Sequence, residues 1–245
     1  MDLLDGMATT RAIRRYRPDP VPEADLASIL WHATRAPSGS NRQPVRYLVL
    51  RDGPEAREAR ALVGEAARAA WATKRAQDGY DRGSGAHASS PKARTARAMQ
   101  AYVDGLDEVP VMVLVCSLPR RSVQGLHLGA SIYPACQNLL LAARALGYGG
   151  TMMMWHGLVE DRLRAVLGIP DEVTVAATVT LGVPEGHHGP VRRLPLADVV
   201  FDGRWDARAP WAVDPPGTRF TAAGPPKRSR PSTQSESGPD GARQP

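Results

Sequence analysis

Eight consecutive residues, Val109-Pro110-Val111-Met112-Val113-Leu114-Val115-Cys116, carry no polar side chain. A strand with one wet face alternates apolar and polar positions. A run without alternation suits a central strand covered on both faces. The run is far short of the roughly 20 residues a membrane-spanning helix needs. Pro110 sits at its edge, where a missing N–H removes no central ladder bond. A chain built on such a strand must be layered, with helices on both sides of a sheet.

The flanking segments can supply those layers. A short first helix is expected over Asp2–Ala8. Pro22 followed by Glu23 opens another, with Leu26, Ile29, Leu30 and Ala33 at three- and four-residue spacing. A short buried strand is predicted at 47–50. Pro54 begins an Ala-rich helix carrying Leu62, Val63, Ala66, Ala70 and Trp71, and a further helix is predicted at roughly 92–106. Between them, residues 77–95 read as irregular and mobile. Over 125–146, Leu126, Ala130, Ile132, Tyr133, Cys136, Leu139, Leu140 and Ala143 form a broad apolar face, with Gly147 at the expected stop. Such a helix is buried, either as a central core helix or at an obligate interface. Residues 149–155 read as a short strand or an extended loop, Asp161–Leu167 as a helix stopped by Gly168 and Pro170, and Val173–Leu181 as an alternating strand.

From Asp214 the composition changes. Asp214–Pro245 holds seven prolines and four glycines, with Phe220 its only aromatic residue. It cannot bury enough surface to offset its ordering entropy, so a disordered tail over 214–245 is expected behind a folded body over 1–213. Five basic and three acidic side chains place +2 of the chain's +6 in that tail. The body's remaining +4 does not argue for nucleic acid. Cys116 and Cys136, the only cysteines, lie in apolar runs and read as free buried thiols. The acidic start Met1-Asp2-Leu3-Leu4-Asp5 has no signal-type apolar region, so a cytoplasmic setting is expected.

Several chemistries lack their residues. Ser38 and Ser40 have no G-x-S-x-G context and no placed His or Asp. The six histidines show neither H-x3-H nor H-E-x-x-H spacing, so no metal site is expected. Gly147-Tyr148-Gly149-Gly150 follows a helix, whereas the dinucleotide fingerprint follows a strand and opens a helix. What remains is a divided site for an anion and a flat ring. Arg11 and Arg14 in Thr10-Arg11-Ala12-Ile13-Arg14, and later Arg192-Arg193, offer planar guanidinium donors suited to phosphate. The connection Arg35-Ala36-Pro37-Ser38-Gly39-Ser40-Asn41-Arg42-Gln43-Pro44 has small polar residues on a helix–strand frame, able to approach a flat polar ligand.

Taken in order, these motifs resemble the FMN-dependent nitroreductase family. The likeness spans roughly residues 7–200. It includes the Ala-Leu-Gly-Tyr-Gly-Gly turn, and Arg-Arg-Leu-Pro-Leu after Val-Thr-Leu-Gly-Val-Pro. The resemblance implies an α+β fold, with a central, mainly antiparallel sheet flanked by helices, in an intertwined homodimer with two FMN sites. It implies that Thr10, Arg11, Ala12, Ile13 and Arg14 meet the FMN phosphate and ring edge. Pro37, Ser38, Gly39 and Asn41 would reach the partner's FMN, Met152, Met153 and Met154 would pass the ring, and Arg193 or Arg192 would hold the phosphate. The family usually reads Arg-Arg-Ser-x-Arg at the first motif, where this chain has Thr-Arg-Ala-Ile-Arg.

No catalytic side chain is implied, because N5 of the flavin is the reacting centre. The expected activity is ping-pong reduction of a small acceptor (nitroaromatic, quinone or activated alkene) by NADH or NADPH. Arg14 is the candidate for the N1/O2 edge of the ring. Trp71, Tyr80, Tyr102, Trp155 and His156 are candidates for the substrate side, with 77–100 as a lid. Alternatives within the resemblance are a specialised flavin-dependent dehydrogenase or oxidase, or a reductive dehalogenase. A different class is a non-catalytic FMN- or partner-binding protein.

Overall fold

The structure, a computed structural model, describes residues 1–118 and 126–217. Its centre is a four-stranded sheet: β1 (Val45–Leu50), β2 (Val111–Ser117), β3 (Gly149–Met153) and β4 (Thr174–Gly182), in the order β1-β2-β4-β3 with every pair antiparallel. β2 is buried along its whole length, as its uninterrupted apolar run requires. Val111, Val113 and Val115 join one apolar cluster, and Met112, Leu114 and Cys116 join another. The period of two along the strand thus divides one segment between two cores.

Helices α2 (Glu23–Ala33) and α5 (Leu126–Ala145) cover the first face through Leu26, Ile29, Ile132, Cys136 and Leu139. α3 (Pro54–Gln77), α4 (Pro91–Asp104) and α6 (Glu160–Leu167) cover the second through Leu62, Val63, Val103 and Leu163. Ser90 caps α4 by accepting from Ala93 N at 3.0 Å, and Gly168 ends α6 in the left-handed region at φ 62°. Gly147 follows α5 with φ 89°. The fold is α+β, with a mainly antiparallel sheet between helical layers.

Three expectations are refined. The alternation in β4 marks no wet face. Thr178 and Thr180 are fully buried, because helices cover both sides of the strand and each hydroxyl finds a partner. The apolar arc of α5 divides: Ile132, Ala135, Cys136, Leu139 and Ala143 are buried, while Ala130 and Tyr133 are exposed. Pro134 lies inside α5 without ending it. It removes the bond to the carbonyl four residues back, and the helix continues through it. The stretch 77–95 lacks long regular structure but is tied down. Arg75 grips Asp81 with Nε at 2.9 Å and Nη2 at 2.8 Å, and Lys92 Nζ donates to Asp78 O at 3.0 Å.

The chain divides at Arg192 into two compact units. The first, Met1–Val191, holds the sheet and the helices, including a short α1 (Leu3–Thr9). The described part of the second has a turn at Leu196–Asp198, a bridge between Phe201 and Arg208, and Trp211 Nε1 donating to Asp202 at 2.9 Å. Most of the expected tail, from residue 218 onward, lies outside the described residues. Cys116 and Cys136 are free and buried. Among the described residues no helix is long and apolar enough to cross a membrane.

Candidate functional site

The arginine-bearing stretch begins where α1 ends. Thr10 Oγ1 donates to Gly6 O at 2.6 Å and accepts from Arg144 Nη1 at 3.0 Å. Arg144, on the last turn of α5, also donates to Gly6 O at 3.0 Å. Thr10 therefore closes the helix, and its hydroxyl is already committed to the protein.

Beyond Thr10 the chain runs extended rather than as a helical turn. Arg11 N donates to His188 Nδ1 at 3.2 Å, Ile13 N to Gly150 O at 2.9 Å and Arg17 N to Val183 O at 2.8 Å. Gly189 N and Val191 N donate back to Thr9 O and Ala8 O. Residues 8–17 are thus held between the start of β3 and the returning segment 183–191. Ile13 is buried, while Arg11, Ala12 and Arg14 are exposed. A Cβ on Gly149 would lie 2.5 Å from Ile13 Cγ1, so the bare glycine is what lets the isoleucine dock. Ile13 is the anchor, and the two guanidinium groups stand off it. Arg14 lines a cavity of about 360 Å³ with Arg15, Tyr16, Tyr102, Glu108 and Glu185.

The predicted ring-passing segment also divides. Met153 is buried, its sulfur 3.7 Å from Tyr102 Oη, whereas Met152 and Met154 are exposed on the opposite side. The period of two in an extended chain separates them.

The 35–44 connection holds three non-glycine residues in the left-handed region: Ser40 at φ 54°, Asn41 at 50° and Gln43 at 50°. Each such residue stores strain of order 1 kcal/mol, which persists only where the surroundings hold it. Here Asn41 N donates to Ser38 O and Gln43 N to Ser38 Oγ, both at 2.9 Å. Gly39 N donates to Ser131 Oγ of α5 at 3.3 Å. Gly39, the glycine of this connection, is not one of the strained positions. Under the loop lies a cavity of about 130 Å³ lined by Ala33, Ser38, Gln43, Tyr47 and Ser131. Tyr47 Oη is buried with no hydrogen-bond partner among the described residues, and burial pushes its phenol up to about 12.

Within the chain the loop and the Thr10 stretch are anchored apart. The loop is anchored on α5 at Ser131 and the Thr10 stretch at Arg144. These positions lie about 20 Å apart along the helix axis at 1.5 Å per residue. Arg192 and Arg193 belong to the second unit, where Arg193 Nη1 donates to Arg192 O at 2.7 Å.

The aromatic residues expected on a substrate side pack into or against the second apolar cluster, and Tyr102 also lines the cavity beside Arg14. Trp71 is buried with Nε1 on Gln100 Oε1 at 3.0 Å, and Tyr80 packs on its ring at 5.1 Å. Tyr102 is buried, with Trp155 packed 6.1 Å from it. His156 is held between Val175 O and Thr178 Oγ1, both at 3.0 Å, and burial lowers its pKa. These side chains fill the space between the sheet and its second helical layer, a role that sequence spacing does not distinguish from a pocket lining. Conversely, Tyr16, Ser131, Arg144, Thr180 and His188 support the site through partners distant in sequence, and no local pattern marks them.

A model of the nitroreductase family matches residues 7–183. The NADH dehydrogenase of Thermus thermophilus is 34% identical, the match covering 82% of this chain and 96% of that protein. The 5,6-dimethylbenzimidazole synthase of Rhodospirillum rubrum is 28% identical, over 83% and 88% respectively. Among solved structures, the FMN- and NADPH-dependent nitroreductase of Sphigopyxis sp. strain HMH shares the fold with a TM-score of 0.60 and 22% identity, covering 82% of this chain and 98% of that one. The matched span takes in the Thr10 stretch, the strained loop and the whole sheet, and on that ground this chain belongs to the nitroreductase family.

Proposed function

We propose that the protein is an FMN-dependent oxidoreductase. It takes reducing equivalents from NADH or NADPH and passes them to a small organic acceptor (a nitroaromatic, quinone or activated alkene) in two alternating half-reactions. The observation that carries this reading is the docking of Ile13 on Gly149 and Gly150, which holds the stretch bearing the exposed Arg11 and Arg14 on the start of β3.

The donor chemistry fits the cofactor. Thr10, Arg11 and Ile13 have their backbone N–H groups bonded within the protein, so the stretch offers an anion its guanidinium groups, which are planar, bidentate and always charged. Bound FMN supplies the redox chemistry through N5. Arg11 would hold the phosphate, and the resemblance gives Arg193 or Arg192 the same role. Arg14 would face the N1/O2 edge, where a fixed cation would favour the extra negative charge of the reduced ring. The segment Met152–Met154 would pass the ring, as the resemblance implies. The separation of the two anchors along α5 supports a site shared by two copies, in which Pro37, Ser38, Gly39 and Asn41 of one protomer reach the flavin of its partner. The exposed Ala130 and Tyr133 on α5 supply an apolar face for such a homodimer.

Purified protein should be yellow, bleach anaerobically with NADH or NADPH, and regain colour with an acceptor. Arg14→Ala and Arg193→Ala should each weaken FMN binding about tenfold, the loss expected for one charge-assisted hydrogen bond. Colourless protein that refuses added FMN would end this reading. The dimethylbenzimidazole synthase relative favours a second one, in which the reduced flavin is itself consumed. Flavin absorbance that fails to return on reoxidation would select it.

A further inference from the structure

We infer that Tyr16, Thr180 and Tyr102 are positioning residues whose hydroxyls form a one-way hydrogen-bond chain, from α4 across β4 to the Ile13 carbonyl, that sets the direction of Arg14. The inference rests on the FMN reading above for its consequence, but not for its geometry.

The chain's direction follows from counting protons. Tyr16 Oη lies 2.7 Å from Ile13 O and 2.8 Å from Thr180 Oγ1, and Tyr102 Oη lies 2.9 Å from Thr180 Oγ1. Each hydroxyl has one proton to donate, and a carbonyl has none. Tyr16 must therefore donate to Ile13 O. The gap between Tyr16 and Thr180 can then be filled only by the Thr180 proton, and the gap between Thr180 and Tyr102 only by the Tyr102 proton. No other assignment places a proton in all three gaps. The buried Met153 sulfur, 3.7 Å from Tyr102 Oη, and the Thr180 carbonyl, 3.4 Å from Tyr16 Oη, are the longer, competing acceptors. Burial raises the pKa of both phenols, that of Tyr102 to about 12, so both remain donors at neutral pH.

This chain does not relay protons outward, because it ends on an amide carbonyl. Its effect is on shape. The Ile13 carbonyl lies in the plane of the peptide bond that begins Arg14. Ile13 is held on three sides: its N–H by Gly150 O, its carbonyl by Tyr16 and its side chain by Gly149. The Arg14 charge lies close enough to oppose the rise in both phenol pKa values. The hydroxyl chain and the cation it aims therefore share one corner of the 360 Å³ cavity, whose lining includes Arg14, Tyr16 and Tyr102.

The test compares Thr180→Val, which keeps the shape and removes the hydroxyl, with Thr180→Ser, which keeps the hydroxyl. Tyr16→Phe removes the last link. Three quantities are measured: the FMN dissociation constant by fluorescence titration, the midpoint potential of bound FMN, and amide hydrogen exchange over residues 10–17 in FMN-free protein. Thr180→Val and Tyr16→Phe should weaken FMN about tenfold, move the potential to more negative values and speed exchange, while Thr180→Ser stays near wild type. Folded Tyr16→Phe with unchanged exchange, FMN affinity and potential would overturn the inference, as would Thr180→Ser behaving like Thr180→Val. Wild-type protein that binds no FMN would defeat the functional reading, and the exchange measurement would still judge the hydroxyl chain.

Discussion

Replacing Gly149 with alanine perturbs the joint on which the candidate site depends. The new Cβ would lie 2.5 Å from Ile13 Cγ1, 2.8 Å from Ile13 Cβ and 3.0 Å from Ile13 Cγ2. Carbon atoms pack comfortably at about 3.5–4.0 Å, so the deficit is close to 1 Å. Rotating Ile13 cannot relieve it, because Ile13 Cβ is itself too near. The backbone of one segment must move, which stretches the 2.9 Å bond from Ile13 N to Gly150 O. Overpacking of this kind costs about 1–3 kcal/mol, and a lost backbone hydrogen bond adds about 1. At roughly 2–4 °C per kcal/mol for a domain of this size, Tm should fall by of order 10 °C. Gly157→Ala is the control, since nothing lies within 4 Å of its added Cβ and its φ is negative-side backbone open to any residue. Circular dichroism melts of the two variants give the comparison. Removing the Ile13 side chain should be less harmful in Gly149→Ala than alone, because the two changes meet at one contact. A Gly149→Ala protein melting within about 1 °C of wild type would refute the account of how the arginine stretch is seated.

Two further outcomes follow from buried polar groups. Tyr47→Phe removes a buried, unpartnered hydroxyl and should raise stability by about 1 kcal/mol in urea unfolding, whereas a loss of stability would mean that the hydroxyl is bonded in the folded protein. Burial holds His156 and His188 below the ordinary imidazole value, so the unfolded chain binds more protons just below pH 6.5; stability should be full above that pH and decline as pH falls through the folded-state values, and His156→Gln should flatten part of the decline in unfolding midpoints measured from pH 7.5 to 5.

Much of the layering was legible in the residues. The apolar run at 109–116 called for a sheet covered on both faces, and β2 is buried throughout. Helix starts at Pro54 and stops at Gly147 and Gly168 were readable because they depend on φ and on missing donors, which are properties of single residues. The site was legible as a set of motifs but not as side-chain directions. In β3 the period of two turns Met153 inward and Met152 out, whereas over Thr10–Arg14 the burial does not alternate, and the docking of Ile13 on Gly149 decides that it is buried while Arg11 and Arg14 face out. The surroundings of His156 and Tyr102 were not legible, since their partners Thr178 and Thr180 are 22 and 78 residues away.

By itself the sequence determined a sheet layered between helices, the order of its elements and the residue types able to meet a phosphate and a flat ring. These follow from periodicity, backbone dihedral limits and side-chain chemistry, which act over one to four residues. The tertiary structure decided how the arginines are aimed. Arg144 reaches Thr10 across 134 residues and Thr180 reaches Tyr16 across 164, and such bonds exist only after the sheet has closed and α5 has packed upon it. Their geometry comes from the pairing of β3 with β4 and from two bare glycines at its start, so the direction of Arg14 is a property of the folded chain.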